Sequence, residues 1–482
     1  MGKIKNRIIS LAAACLFAVG LLPSAVSADD APILFVNGKD IIAAENNTVQ
    51  CGTGKAVYDA ATHTLTLDNA QITEHTKDGD IPTTGRGAIY AMYTPLNIVL
   101  VGDNSIDIDG DNYQSAYGIY VWEHDLTISS ENKGSLTIAS NNRPVESQGK
   151  VTIDNVSLDL TAAKADCDGM GGESFEIKSS DIKLRSDGWW GIYSENDFNV
   201  SDSKFDIQSP SNNIMVDEGK LTASNTKFYV KNTMSGCAIY AGKDITIENG
   251  SYVEAESEPD CAIFTPGNIK LDNSEFHLKG CYPGIMSSGD MEIKDSKVES
   301  KSTDDIGIWS RSNLTIIGNS EVKSNGIGAA GEFAIEPADG SYADVSADGN
   351  KSLAKTRIIM EEVRDDFYYK IHEHTLSWVI DKEPTVDEEG IKHEECSTCD
   401  YKGEAVPIDK LTPDTPSDDK PSDDKPSDDK PSDDKPSDDK PSDDIPPATG
   451  NNQGTVIWIA AIAVCGAAVT ITSACRYKKE NR

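Results

Sequence analysis

One position after a repeated small-Ile pair stands a large side chain, at Tyr90, Tyr120, Tyr193, Met215, Tyr240, Phe264, Met286 and Trp309. Flat rings in register are what stacking against a sugar ring requires, and a few polar neighbours would fix its hydroxyls. Trp189 and Trp190 beside Arg185 and Asp187, and Trp122 with Tyr117 and His124 close by, would extend such a platform. Stacked aromatics also stabilise a repeating scaffold without any ligand, and both readings stand.

Cleaving a polysaccharide asks for more than rings. It needs carboxylates clustered on Ca²⁺ with an Arg at hand, or separated carboxylate pairs near His and Arg. The nearest approach is "VWEHD", Val121 to Asp125. The chain has 80 Asp and Glu, so a local acidic pair means little. The missing constellation argues against catalysis. A lyase or glycosidase acting on acidic glycans is the alternative, and nothing in the sequence specifies Ca²⁺.

A second chemistry is written near residue 400. Cys396 and Cys399 have metal-knuckle spacing, and His372 with His374, or His393, could complete a tetrahedral Zn²⁺ site. A local disulfide or a reduced pair with surface His fits the same residues. Further upstream, Cys237 and Cys261 occupy the same place in adjacent repeats, close enough for a bond. The odd number of cysteines between the two terminal apolar runs favours stacked free thiols there.

The elements that must position these groups show themselves as a repeat. Apolar-x-apolar bursts centred on Ile153, Ile177, Val200, Ala223, Ile247, Leu271, Ile293 and Ile316 recur every 22 to 24 residues. Each is followed by a polar pair and a second burst, and a third carries the small-Ile-aromatic signature. Three short strands per repeat cannot bury an apolar face alone, so each repeat must stack on its neighbours. The expected fold is all-β, a right-handed parallel β-helix of about 23 residues per coil and about ten coils. A sandwich would need strands 8 to 12 residues apart.

Two ladders follow. Ile89, Ile119, Ile192, Ile214, Ile239, Ile263, Ile285 and Ile308 should stack in the core. Asn155, Ser179, Asp202, Asn225, Asn249, Asn273 and Asp295 should turn a left-handed corner between the first two bursts. Within "GCAIYAGKDITIENGSYVEA", Ile239, Ile245, Ile247 and Tyr252 should point inward.

The ends read differently. Lys3, Lys5 and Arg7 precede an apolar run and "PSAVSA", the pattern of a secretory signal over 1–28. Residues 456–475 carry no charge and are long enough for a transmembrane helix, with a basic cytoplasmic tail at 476–482. Between them the expected segments are a β cap (29–75), the β-helix (76–364), a small HxH/CxxC β module (365–411) and a disordered acidic stalk (412–445). The stalk holds six PSDD units with twelve Asp against five Lys. A net charge of −36 excludes nucleic acid as a natural partner.

"IPPATG" ahead of the apolar run resembles the wall-anchoring motif of Gram-positive surface proteins, with Pro446 where that motif usually carries Leu. The resemblance implies a sortase as partner over 446–450, acting between Thr449 and Gly450. The repeat pattern resembles the pectate-lyase-like β-helix superfamily. "VNGKDI" and "GTGKAVYDAATHTLTLDNAQI" resemble the leading part of carbohydrate-binding-type surface proteins of gut Firmicutes. The segment from His372 to Ile408 resembles small H-x-H-T…W…C-x-x-C modules of Gram-positive surface proteins. Together these imply an exported, surface-anchored protein that binds a glycan or a host or neighbour-cell surface without catalysis. A purely structural spacer is a further reading.

Overall fold

Each burst forms a short strand, because period-two alternation buries one face and leaves the other wet. The computed structural model describes residues 31–412 apart from 78, 82–84, 109–115, 164–166, 339–341, 348–349, 355, 373–375 and 398–401. Among the described residues there is no α-helix, and one 3-10 turn at Glu45–Asn47. None of them forms a helix long and apolar enough to cross a membrane. The expected signal, wall motif, apolar span and tail, with Thr449 and Gly450, lie outside the described residues.

Three strands make one turn of a parallel solenoid. In a typical turn they are Ile239–Ala241, Ile245–Glu248 and Tyr252–Ser257. Each pairs in parallel with its counterpart in the turn before and the turn after. The result is a short-strand sheet of 13 strands, a middle sheet of 15 and a long-strand sheet of 14. Among the described residues, eight regular turns from Val145 to Ser324 open with a three-residue strand. Two wider turns, opening with Gly87–Met92 and Tyr117–Trp122, precede them.

The core is the stack of inward side chains from all three sheets. All eight expected Ile residues are fully buried, and Val145 and Met170 fill the two rungs between Ile119 and Ile192. The corner ladder is equally plain. Asn155, Ser179, Asp202, Asn225, Asn249, Asn273 and Asp295 all adopt φ between 46° and 60°.

Tyr252 differs from expectation. It lies half-buried on the outer side of the long-strand sheet, and Val253 takes the core position. The reason is Gly250, with φ 81°, which adds one residue to this corner and shifts the alternation by one.

The solenoid is closed at both ends by antiparallel strands. Ile33–Val36 pairs with Gly87–Met92, and the hairpins of Thr48–Cys51, Gly54–Asp59 and Thr64–Asp68 lead into the middle sheet. At the other end Phe367–His372 pairs with Glu321–Ser324, and Ile358–Met360 with Phe333–Glu336. Phe367–His372 thus closes the solenoid and is no part of the small module in which the sequence set it. That module is a separate unit with an antiparallel sheet of Leu376–Lys382, Gly390–Cys396 and Val406–Ile408.

Candidate functional site

Parallel register converts the aromatic residues into a real column on the outside of the short-strand sheet. Its rungs are Tyr90, Tyr120, Glu146, Gly171, Tyr193, Met215, Tyr240, Phe264, Met286, Trp309 and Gly328. Successive rungs are about 4.8 Å apart. The six from Tyr193 to Trp309 form an unbroken half-buried stripe, within which Tyr240 and Phe264 lie 5.8 Å apart.

The first two rungs correct the expectation of exposure. Tyr90 is 0% exposed and Tyr120 5%. Tyr90 is opposite Phe35 of the closing N-terminal strand, and both rings pack with Ile81, Met92 and Trp122 in a satellite cluster. Tyr120 stacks on Tyr117 at 4.5 Å, with Trp122 edge-on at 6.1 Å. Capping strands and the preceding loop seal this end of the column.

Arg185 also departs from its expected place. It lies on the long-strand sheet, where its guanidinium donates to the Asp206 carboxylate and carbonyl, each at 2.8 Å. Trp189 is 59% exposed, whereas Trp190 stacks on Tyr193 at 4.8 Å with planes 26° apart. Of the "VWEHD" residues, Glu123 turns a left-handed corner, His124 gives its carbonyl to Ser147, and Asp125 accepts from the Lys150 amide. Of these three side chains, the Asp125 carboxylate is committed to the backbone.

Between the Tyr117–Tyr120 and Trp190–Tyr193 pairs the column is interrupted by a polar notch. Glu146 takes an aromatic rung, and Arg143 donates to it at 2.6 Å and to Asp168 at 2.6 Å. The second oxygen of Asp168 accepts from the Trp190 amide at 2.9 Å, so one carboxylate fixes both the guanidinium and the indole-bearing backbone. Gly171 fills the next rung because a Cβ there would overlap the Glu146 carboxylate and crowd Arg143. The Tyr193 hydroxyl donates to Asp217 at 3.2 Å on the far side.

The electrostatics follow from one guanidinium serving two carboxylates. Burial opposes the charge on Arg143, but Glu146 and Asp168 outweigh it and hold the group protonated. The two ends of the Arg143–Glu146 pair shift unequally. Burial pushes Glu146 above the usual carboxylate range further than Arg143 draws it down, with Asp168 adding to the rise. Burial and the Asp217 carboxylate push the Tyr193 hydroxyl up to about 12, so it remains a donor. The partly exposed Tyr117 ring on one side and Trp190 with Tyr193 on the other, with fixed donors and acceptors between them, can meet the faces and edge of a polyhydroxylated ring.

A family model described as "Carbohydrate-binding domain-containing protein" matches residues 46–327, more than half of the chain. The chain belongs to that family. No curated protein and no solved structure matches it. In this carbohydrate-binding family member the matched region takes in both aromatic pairs and the notch between them.

Sequence reasoning named Trp190 and Tyr193 but missed Arg143, Glu146, Asp168, Gly171 and Asp217. A signal was present: the small-Ile-aromatic signature lapses over two turns, at "RPVES" and "DGMGGE". A lapse in a strict repeat is where function overrides pattern.

For the Zn²⁺ set, His374 and Cys399 lie outside the described residues. Cys396 is buried at the end of Gly390–Cys396. His393, in the same strand, is hydrogen-bonded to the Asp381 carboxylate at 2.7 Å through Nδ1, while its buried Nε2 makes no hydrogen bond.

Proposed function

We propose that this protein binds glycans on the outside of its short-strand sheet, in the notch between the Tyr117–Tyr120 and Trp190–Tyr193 pairs. The observation that carries the reading is the Arg143–Glu146–Asp168 triad set between two stacked ring pairs in a family whose description is carbohydrate binding. The half-buried stripe from Tyr193 to Trp309 continues the platform along the solenoid axis. Arg143 is committed to Glu146 and Asp168, and Asp217 adds a further carboxylate beside Tyr193, which favours neutral or amine-bearing sugars over uronates. An exported, surface-anchored placement with a right-handed coil and an acidic stalk fits this role: the stalk would hold the binding face clear of the envelope.

A lyase or glycosidase on acidic glycans is the competing reading. It is less well supported, because both arms of Arg143 are committed to carboxylates and both carboxylates sit on one guanidinium instead of flanking a bond. The test is a glycan array probed with the purified protein and scored for retention and for newly released reducing or unsaturated ends. Trp190→Ala and Tyr193→Ala should each weaken retention roughly three- to tenfold, as aromatic contacts worth about 0.5–1.5 kcal/mol imply. Lys183→Ala, on the long-strand sheet, should leave it unchanged. Equal retention by all three variants rejects the site, and chain cleavage abolished by Glu146→Gln rejects the non-catalytic role.

A further inference from the structure

Away from the notch, the loops that lead into the short-strand sheet bring together a second set of chemically distinctive groups. Ile239 pairs with Ile263, so parallel register sets Cys237 and Cys261, two residues before each strand begins, side by side on adjacent turns. The two thiols are 4% and 3% exposed. Asp260 reaches the same point, and one ligand atom from each of Cys237, Cys261 and Asp260 lies within 4.8 Å of the others. We propose that Cys237, Cys261 and Asp260 form a binding site for a soft divalent cation of the Zn²⁺ type.

The donor set fits that chemistry. Two thiolates and a carboxylate are Zn²⁺ ligands, and tetrahedral bonds of about 2.3 Å to sulfur require donor atoms about 3.8 Å apart. A contraction of under about 1 Å from the observed cluster meets this, which is within side-chain rotation. Asp260 is already oriented. Its Oδ1 accepts from the Cys261 amide at 2.8 Å, and its own amide donates to Ser257 at 3.1 Å. That second-layer bonding leaves the other carboxylate oxygen for the cation. Each thiol releases its proton to solvent as it ligates, and a water supplies the fourth position. Cys281 of the next turn does not join, because its sulfur is turned to Asp304 at 3.2 Å. Occupancy would tie two turns together three residues ahead of Tyr240 and Phe264, which pair across the same two turns.

The test uses the full chain carrying Cys396→Ser and Cys399→Ser, so that the small module contributes no thiolates. After reduction and removal of metal by a chelator, Co²⁺ is titrated as the spectroscopic probe. The expected result is one equivalent of Co²⁺ with a thiolate charge-transfer band and tetrahedral d–d intensity, both displaced by Zn²⁺. Cys261→Ser should abolish the band. Asp260→Asn, which keeps both thiols and guards against a folding defect in the first variant, should weaken uptake at least roughly tenfold with unchanged β-sheet circular dichroism. Absence of the band, its survival in Cys261→Ser, undiminished uptake by Asp260→Asn, or isolation of the protein with Cys237 and Cys261 already joined in a disulfide would each overturn the site.

Discussion

Tyr90 and Tyr193 carry the same signature, yet one is sealed and the other is half-buried beside a notch. The difference lies in what covers each ring. Alternation fixes that both point away from the axis, and this was legible from the sequence alone. What was not legible is that Ile33–Val36 returns antiparallel over Gly87–Met92, some 50 residues on, and lays Phe35 across from Tyr90. Tyr90→Ala should therefore cost about 3–5 kcal/mol of stability, as loss of a buried aromatic does, read as a fall in the denaturant midpoint. Trp189→Ala, at an exposed ring, should move the midpoint by no more than about 0.5 kcal/mol. Equal effects would mean that the N-terminal strand does not cover the column. The same blindness to coverage hid the Arg143 triad, since no local pattern says that residues 143, 146 and 168 meet across two turns.

At the scale of the elements, the corner between middle and long strands rests on a second ladder beside the left-handed one. Ser180, Ser203, Thr226, Ser251, Ser274, Ser296 and Ser320 are all buried. Most accept from the amide of the equivalent residue one turn earlier, as Ser251 N–H donates to Ser274 Oγ at 3.2 Å and Ser274 N–H to Ser296 Oγ at 3.2 Å. Each hydroxyl then donates to a carbonyl of its own corner, as Ser274 does to Asp272 at 2.9 Å. A turn that changes direction inside a protein must satisfy its backbone groups, and one hydroxyl per turn does so twice. The left-handed Asn, Ser and Asp positions were readable because few residues tolerate that backbone. The hydroxyls were not, because Ser and Thr are common in any exposed turn. Ser274→Ala should strand the Ser251 amide and the Asp272 carbonyl, at about 1–3 kcal/mol. Hydrogen exchange at the Ser251 amide should accelerate with it. Unchanged exchange there would show that water replaces the hydroxyl at no cost.

Over the whole molecule, a stack of parallel turns leaves open strand edges at its two ends, and here antiparallel strands pair with both. The acidic surplus of the chain raises the opposite question, how a long β-face tolerates so many carboxylates. On the long-strand sheet they interleave with cations from neighbouring turns. Glu256 meets Lys279 at 2.7 Å and Lys231 at 3.1 Å, and Glu275 meets Lys297 at 2.6 Å. Lys279 and Lys231 hold Glu256 below the usual carboxylate range, Lys297 and then His277 do so for Glu275, and Lys301 for Glu299. A folded-state value below the unfolded one, about 4.3, means stability that is present above that pH and lost as pH falls through the folded values. Glu146 has the opposite sign: its raised value contributes stability at low pH that is lost as pH rises through it. With Asp290 and Glu388 also held low, five lowered carboxylates among the described residues stand against one raised, so the melting temperature should drop as pH is taken below about 4. All three pairs are partly exposed, so the drop should shrink in about 1 M salt, where the Debye length is about 3 Å. Thermal melts followed by circular dichroism over that range, at low and high salt, check both parts. A salt-independent drop would place the acid sensitivity outside these partly exposed pairs, and a flat profile would mean that they contribute nothing to holding successive turns together.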